Sequence, residues 1–87
     1  MPNLRKRSIL LAGHATSVAL EPEFWDVLER RARAERRSLA ALMITIDQER
    51  GGRPLASACR LAALAFAKES DERIWSDALQ AEDQERT

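Results

Sequence analysis

Apolar and polar positions change rhythm several times along this chain, and each change marks an element. From Ser8 to Leu20, short apolar stretches alternate with small polar residues, and Gly13-His14 breaks the segment into two extended pieces. In the second piece, the two-residue period puts Thr16, Val18 and Leu20 on one side and Ala15, Ser17 and Ala19 on the other. Glu21-Pro22-Glu23 then opens a helix, because proline suits the first helical turn and carboxylates complement its positive end. Phe24, Leu28 and Ala32 recur every four residues with Trp25 beside them, which predicts an amphipathic helix from about Pro22 to Glu35.

Ser38 is a good cap for a second helix, whose apolar face carries Leu39, Leu42, Met43 and Ile46. Gly51-Gly52-Arg53-Pro54 stops it near Arg50. A third helix, about Leu55 to Lys68, is apolar nearly all round and is expected to be buried on more than one side, which implies a partner subunit. Ser70 is a candidate cap for a short fourth helix with Ile74, Trp75, Ala78 and Leu79 as its stripe. From Gln80 onward the sequence looks polar and frayed. The pattern predicts a mostly α chain with a short N-terminal β element. Its divisions are a basic arm at 1–7, a domain at 8–68 and an acidic, partly helical tail at 69–87.

Composition sharpens the need for a partner. At 87 residues and 9.8 kDa there is room for one small domain. Such a chain buries only about 60% of its unfolded surface, which is marginal for a monomer. Cys59 is the only cysteine, so no disulfide within the chain compensates, and oligomerisation is the remaining route to a sufficient core. Lys+Arg and Asp+Glu each total 14, so the formal net charge is zero, which excludes coating of nucleic acid or lipid by charge alone. Neutrality conceals asymmetry. Residues 1–60 hold 11 basic against 7 acidic side chains, a net of +4, and residues 61–87 hold 3 against 7, a net of −4.

The longest apolar-rich stretch, Leu55 to Ala67, is interrupted by Ser57 and Arg60 and is shorter than the roughly 20 residues of a membrane span. Ile9 to Ala12 is too short for the apolar core of a secretory signal. A soluble cytoplasmic protein with a reduced thiol is expected.

Little in the sequence suits catalysis. One histidine, His14, falls in the expected turn, and Cys59 in a buried helix, which separates the only conventional base from the only thiol. No Cys/His cluster has metal-ligand spacing, and Gly51-Gly52 lacks the preceding strand and spacing of a phosphate loop. No catalytic residue, metal or cofactor is assigned. Cys59 reads as a small packed side chain.

The basic residues are more informative. Asp26–Arg30 and Glu29–Arg33 are acid-before-base pairs four residues apart, as expected of a solvated helix face. Arg36 and Arg37 differ, because they stand where a helix-ending glycine is expected, directly before the capping Ser38. An arginine held at positive φ there costs of order 1 kcal/mol relative to glycine. Either another turn geometry is used or the charge matters at that place.

Taken together, Ala15-Thr-Ser-Val-Ala-Leu-Glu-Pro-Glu-Phe-Trp, a helix, Arg37-Ser38-Leu39-Ala40-Ala41-Leu42 and a second helix resemble the ribbon-helix-helix family of bacterial DNA-binding proteins. Similarity extends from about Ser8 to Phe66 and is closest to a branch with an additional N-terminal strand. This resemblance implies an intertwined homodimer, in which the second strands pair antiparallel across the subunits into a ribbon. It implies base-facing residues Ala15, Ser17 and Ala19, and phosphate contacts at the second helix's N-terminus through Ser38, helped by Arg36 and Arg37. Arg5, Lys6 and Arg7 would add phosphate contacts from the arm. The dimer core would comprise Val18, Leu20, Phe24, Trp25, Leu28, Leu39, Leu42, Met43, Ile46 and Leu61. An extra C-terminal helix follows.

Two of the three base-facing residues are alanines, which reach only a thymine methyl, and Ser17 is the sole polar reader. Two functions therefore stay open. One is a homodimeric, duplex-binding transcriptional regulator. The other is a protein-interaction module, antitoxin-like, that keeps the dimeric fold and engages a protein through Ile74, Trp75 and Leu79.

Overall fold

The computed structural model describes residues 3–85, with the side chains of residues 74, 75, 77 and 81–85 outside that description. Two strands, β1 (Arg5–Leu11) and β2 (His14–Leu20), form an antiparallel hairpin, with Leu11 opposite His14 and Arg5 opposite Leu20. Ala12 and Gly13 make the turn, at φ 50° and 83°. Two successive positive φ values define the tight turn whose twist matches that of paired strands. His14 is therefore a strand residue, not the turn residue expected, and the break lies one position earlier. Arg5, Lys6 and Arg7 belong to β1 rather than to an arm preceding the fold. Their charge run reads as solvated chain, yet Ile9 and Leu11 share one side of the strand and anchor it in the core.

Three helices follow: α1 (Pro22–Ala34), α2 (Leu39–Glu49) and α3 (Leu55–Glu85). The expected separate fourth helix does not exist. After Pro54 the sequence has no glycine or proline, so nothing breaks the helix, and Ser70 lies inside α3 instead of capping a new one. With 31 residues, α3 is about 46 Å long at 1.5 Å per residue. That exceeds the 31 Å and 22 Å of the molecule's two smaller dimensions, and only the 58 Å axis accommodates it. The distal part therefore projects beyond the body.

One apolar core unites the remainder. Leu20, Trp25, Leu28, Leu42, Met43 and Cys59 are fully enclosed, joined by Ile9, Leu11, Val18, Ala32, Ile46 and Ala63. Phe24 and Leu39 pack against its edge. Most residues expected at a dimer core thus meet within a single chain. Leu61 differs, being exposed on α3 with Leu64. The helix expected to be buried on several sides is covered on the side of Cys59 and Ala63 and open on this one. The strand pairing present is the hairpin within the chain. No described helix is long and apolar enough to cross a membrane.

Candidate nucleic-acid interface

The hairpin sorts its side chains by alternation. Ile9, Leu11, Val18 and Leu20 face the core, while Ser8, Leu10, Ala15 and Ser17 are exposed and Ala19 is half-buried. Register pairs Lys6 with Ala19, Ser8 with Ser17 and Leu10 with Ala15. Opposed residues share a face, so the outward side holds six positions, not only the three of β2. The sequence alone does not place Lys6, Ser8 and Leu10 on this face, because the strand character of Lys6 and the register that sets Ser8 and Leu10 opposite Ser17 and Ala15 both come from pairing with β2.

That alternation also divides the basic trio. Arg7 lies opposite Val18 and turns toward the helices, where it meets Glu29 at 2.6 Å. Its guanidinium stands 4.9 Å from the centre of the Trp25 ring, a cation–π distance. The buried Trp25 Nε1 donates to the Arg5 carbonyl at 2.8 Å, tying β1 to α1. Lys6 alone of the three shares the outward face, is exposed, and forms no salt bridge among the described residues.

A second basic pair sits at the α1–α2 corner. The Arg36 amide donates to the Arg33 carbonyl and the Arg37 amide to the Ala32 carbonyl, both at 3.0 Å. This is the left-handed helix-ending motif in which glycine is preferred, and Arg36 occupies its strained position at φ 56°. Arg37 is held. Its Nε donates to Glu35 Oε1 at 2.8 Å and its Nη1 to Thr45 Oγ1 at 2.7 Å, while Thr45 donates onward to the Ala41 carbonyl. Arg31 donates to the other Glu35 oxygen at 2.8 Å. Hydrogen bonding from Arg31, and then from Arg37, lowers the Glu35 carboxyl pKa below its ordinary value. Arg36 is exposed and forms no salt bridge among the described residues.

Ser38 caps α2 as expected: its Oγ accepts the Ala41 amide at 3.0 Å and its carbonyl the Leu42 amide at 3.1 Å. The amides of Leu39 and Ala40, in the first turn, are left without intrahelical partners, the usual anion-attracting end of a helix. Contacts between α2 and β1 and between α3 and β2 hold α2 and the hairpin in one body. At the opposite end of α1, Arg60 of α3 donates to Glu21 at 2.9 Å and lies 5.9 Å from the Phe24 ring. The Glu21 carboxyl pKa is lowered, first by its own backbone amide and then by Arg60. Desolvation pushes the Cys59 thiol up to about 11, next to Met43 Sδ at 3.7 Å, so this thiol is a packed side chain and not a nucleophile. No group of three or more potential metal ligands occurs among the described residues.

A family model described as "Ribbon-helix-helix domain" matches residues 4–67. The chain belongs to the ribbon-helix-helix family. No curated protein and no solved structure matches it. Members of the ribbon-helix-helix family are in general DNA-binding or regulatory proteins rather than enzymes, and typically dimerise. The match takes in both strands, α1, α2 and the part of α3 that carries Cys59 and Ala63. It ends at Ala67, whereas α3 continues to Glu85, so the acidic distal helix is an addition to the ribbon-helix-helix unit. Within that addition, Leu79 is exposed, and the side chains of Ile74 and Trp75 lie outside the described residues.

Proposed function

We propose that this chain is a homodimeric regulator of transcription that binds duplex DNA, with the hairpin's outward face toward the major groove and α2 N-termini on flanking phosphates. The observation carrying this reading is the corner at Ser38, where free first-turn amides stand beside an exposed arginine kept in a strained conformation. Strain of this kind persists where the surroundings over-determine it. The base-facing set is Ala15, Ser17 and Ala19, with phosphates met by Ser38, Arg36 and Lys6. Arg5, Arg7 and Arg37 are secondary, since Arg7 and Arg37 are already engaged within the protein.

The turn supports a pairing of two copies through β2. A two-residue turn makes Leu11–His14 a hydrogen-bonded pair, and alternation then directs the backbone groups of Ala15, Ser17 and Ala19 to the outer edge of β2. A two-fold axis at Ser17 joins that edge to its copy, with Ala15 opposite the copy's Ala19. These side chains are small and uncharged, whereas the free edge of β1 presents Lys6, a residue that blunts edge pairing. Ser17→Cys is expected to give a disulfide-linked dimer on mild oxidation, because directly paired strands hold such positions about 5.5 Å apart. Lys6→Cys, two strands removed, is not. Buried Cys59 does not interfere. Equal linkage of the two variants refutes the ribbon.

DNA binding is tested by titrating the protein into random duplex at several salt concentrations. Affinity is expected to fall linearly on logarithmic axes, with a slope of about 0.9 per phosphate neutralised. No complex even at low salt sinks the proposal. In that event the protein-interaction reading gains, since it is favoured by the extension of α3 beyond the matched domain with a net charge of −4 over residues 61–87. The antitoxin-like form of that reading then requires a protein partner captured by this helix.

A further inference from the structure

The hairpin raises a geometric question that a single ribbon strand does not. Joined through β2, two hairpins form one sheet in the order β1-β2-β2-β1. Its outward face then has three rows. The outer rows read Lys6, Ala19, the second copy's Ala15 and the second copy's Leu10, and the central row is serine throughout, Ser8 and Ser17 from each copy. Small side chains fill both inner columns, and the long ones, Lys6 and Leu10, stand only in the outer columns.

Four strands at about 4.8 Å spacing put the outermost pair roughly 14 Å apart. The major groove is about 12 Å wide and admits two strands. Only the two β2 strands enter it, and β1 is left over the groove walls, which are phosphate ridges. We infer that β1 is a groove-rim clamp on duplex DNA, with Lys6 of each protomer on a backbone phosphate and the base-facing β2 strands seated between the two clamps. This rests on the DNA-binding reading above.

Residue chemistry agrees with that placement. Among the described residues, Lys6 is the only cation on the hairpin's outward face, since alternation turns Arg5 and Arg7 the other way and Glu29 with Trp25 holds Arg7. An ammonium on a four-carbon stem is a mobile point charge suited to a phosphate, whereas bidentate reading of guanine favours the arginine fork. Alanines at 15 and 19 keep the central columns low, so the outer columns reach the duplex together with them. Leu10 is 63% exposed at the turn end of the same column, where a hydrocarbon side chain packs against sugar and carries no charge.

The test compares wild-type protein with Lys6→Gln, Lys6→Arg and Ser17→Ala on a random duplex and on genomic fragments across a salt series. Lys6→Gln is expected to weaken binding on every sequence alike and to reduce the salt slope by about 2 per dimer, one phosphate from each protomer. Lys6→Arg is expected to restore the slope, and Ser17→Ala to alter sequence preference while leaving the slope in place. Thermal melting of Lys6→Gln is expected to match wild type, because Lys6 is exposed and makes no salt bridge. An unchanged slope with Lys6→Gln overturns the clamp while the DNA-binding reading stands. A loss confined to particular sequences also overturns it, assigning Lys6 to a base. Absence of any complex with wild-type protein at low salt removes both.

Discussion

Two neighbourhoods of this protein set cations side by side, and in each the backbone separates them. In β1, strand alternation sends Lys6 outward and Arg7 inward, onto Glu29 and Trp25. At the α1–α2 corner, a left-handed residue does the same work. Arg36 is turned out at φ 56°, while Arg37 is bound to Glu35 and Thr45. Each neighbourhood thus sets a cation bound within the protein, Arg7 or Arg37, directly beside one turned outward, Lys6 or Arg36. A run of basic letters does not tell which is which. Period-2 geometry decides it in the strand at no conformational cost, but the corner spends backbone strain to achieve it.

The corner is therefore where the comparison breaks most visibly. Arg36→Gly removes the strain, and its expected effect is stabilisation of about 1 kcal/mol. For a domain of this size, that raises the melting temperature by roughly 4–8 °C, measured at fixed protein concentration because a dimer's stability depends on it. The same substitution removes an exposed charge beside the α2 amides. Duplex binding is expected to weaken on all sequences, with the salt slope reduced by about 2 per dimer. Opposite signs for folding and binding identify a residue kept for its charge. A variant that melts later and binds as tightly as wild type shows the arginine to be idle.

Legibility in the sequence follows the same division. The three helices through Lys68 are signalled by strong local chemistry: Pro22 at a first turn, Ser38 at a cap, and Gly51-Gly52-Arg53-Pro54 as a stop. Ser38 was legible as a cap because its hydroxyl bonds only within its own first turn. The question of positive φ at Arg36 was likewise local, and the structure answers it. What was not legible is what depends on distant partners. Arg5–Arg7 look like an arm in the sequence because their strand identity comes from pairing with Val18–Leu20, and their anchoring from Trp25, bonded to the Arg5 carbonyl, and Glu29, paired with Arg7. The turn residue Ala12 carries no turn signal of its own, and its φ of 50° is imposed by the register closing on Gly13. Ser70 misled because a serine before acidic residues matches a helix start as well as a helix interior. The absence of glycine and proline nearby was the better guide. Arg37 looked equivalent to Arg36, since only the fold brings Thr45 within 2.7 Å of it.

Glu35 offers the smallest and most discriminating test, because it is the carboxylate that commits Arg37. Its pKa is lowered chiefly by Arg31, with Arg37 second. A carboxylate whose folded pKa is depressed contributes stability above its unfolded value, and that contribution is lost as pH falls through the folded value. Glu35→Gln is expected to lower stability slightly at pH 7, by an amount typical of a surface ion pair, a few tenths of a kcal/mol. The difference from wild type is expected to shrink as pH falls below the ordinary carboxylate value of 4.5 and to vanish only in melts carried below the lowered folded value. For DNA the sign reverses. Removing one negative charge and loosening Arg37 beside the α2 N-terminus makes a second cation available for phosphate. The salt slope is expected to become steeper, where Arg36→Gly makes it shallower. If the Glu35→Gln slope instead stays at the wild-type value while stability falls as expected, Arg37 is a wholly structural cation. The corner would then resemble β1 in function as well as in arrangement, with one residue for the fold and one for the duplex.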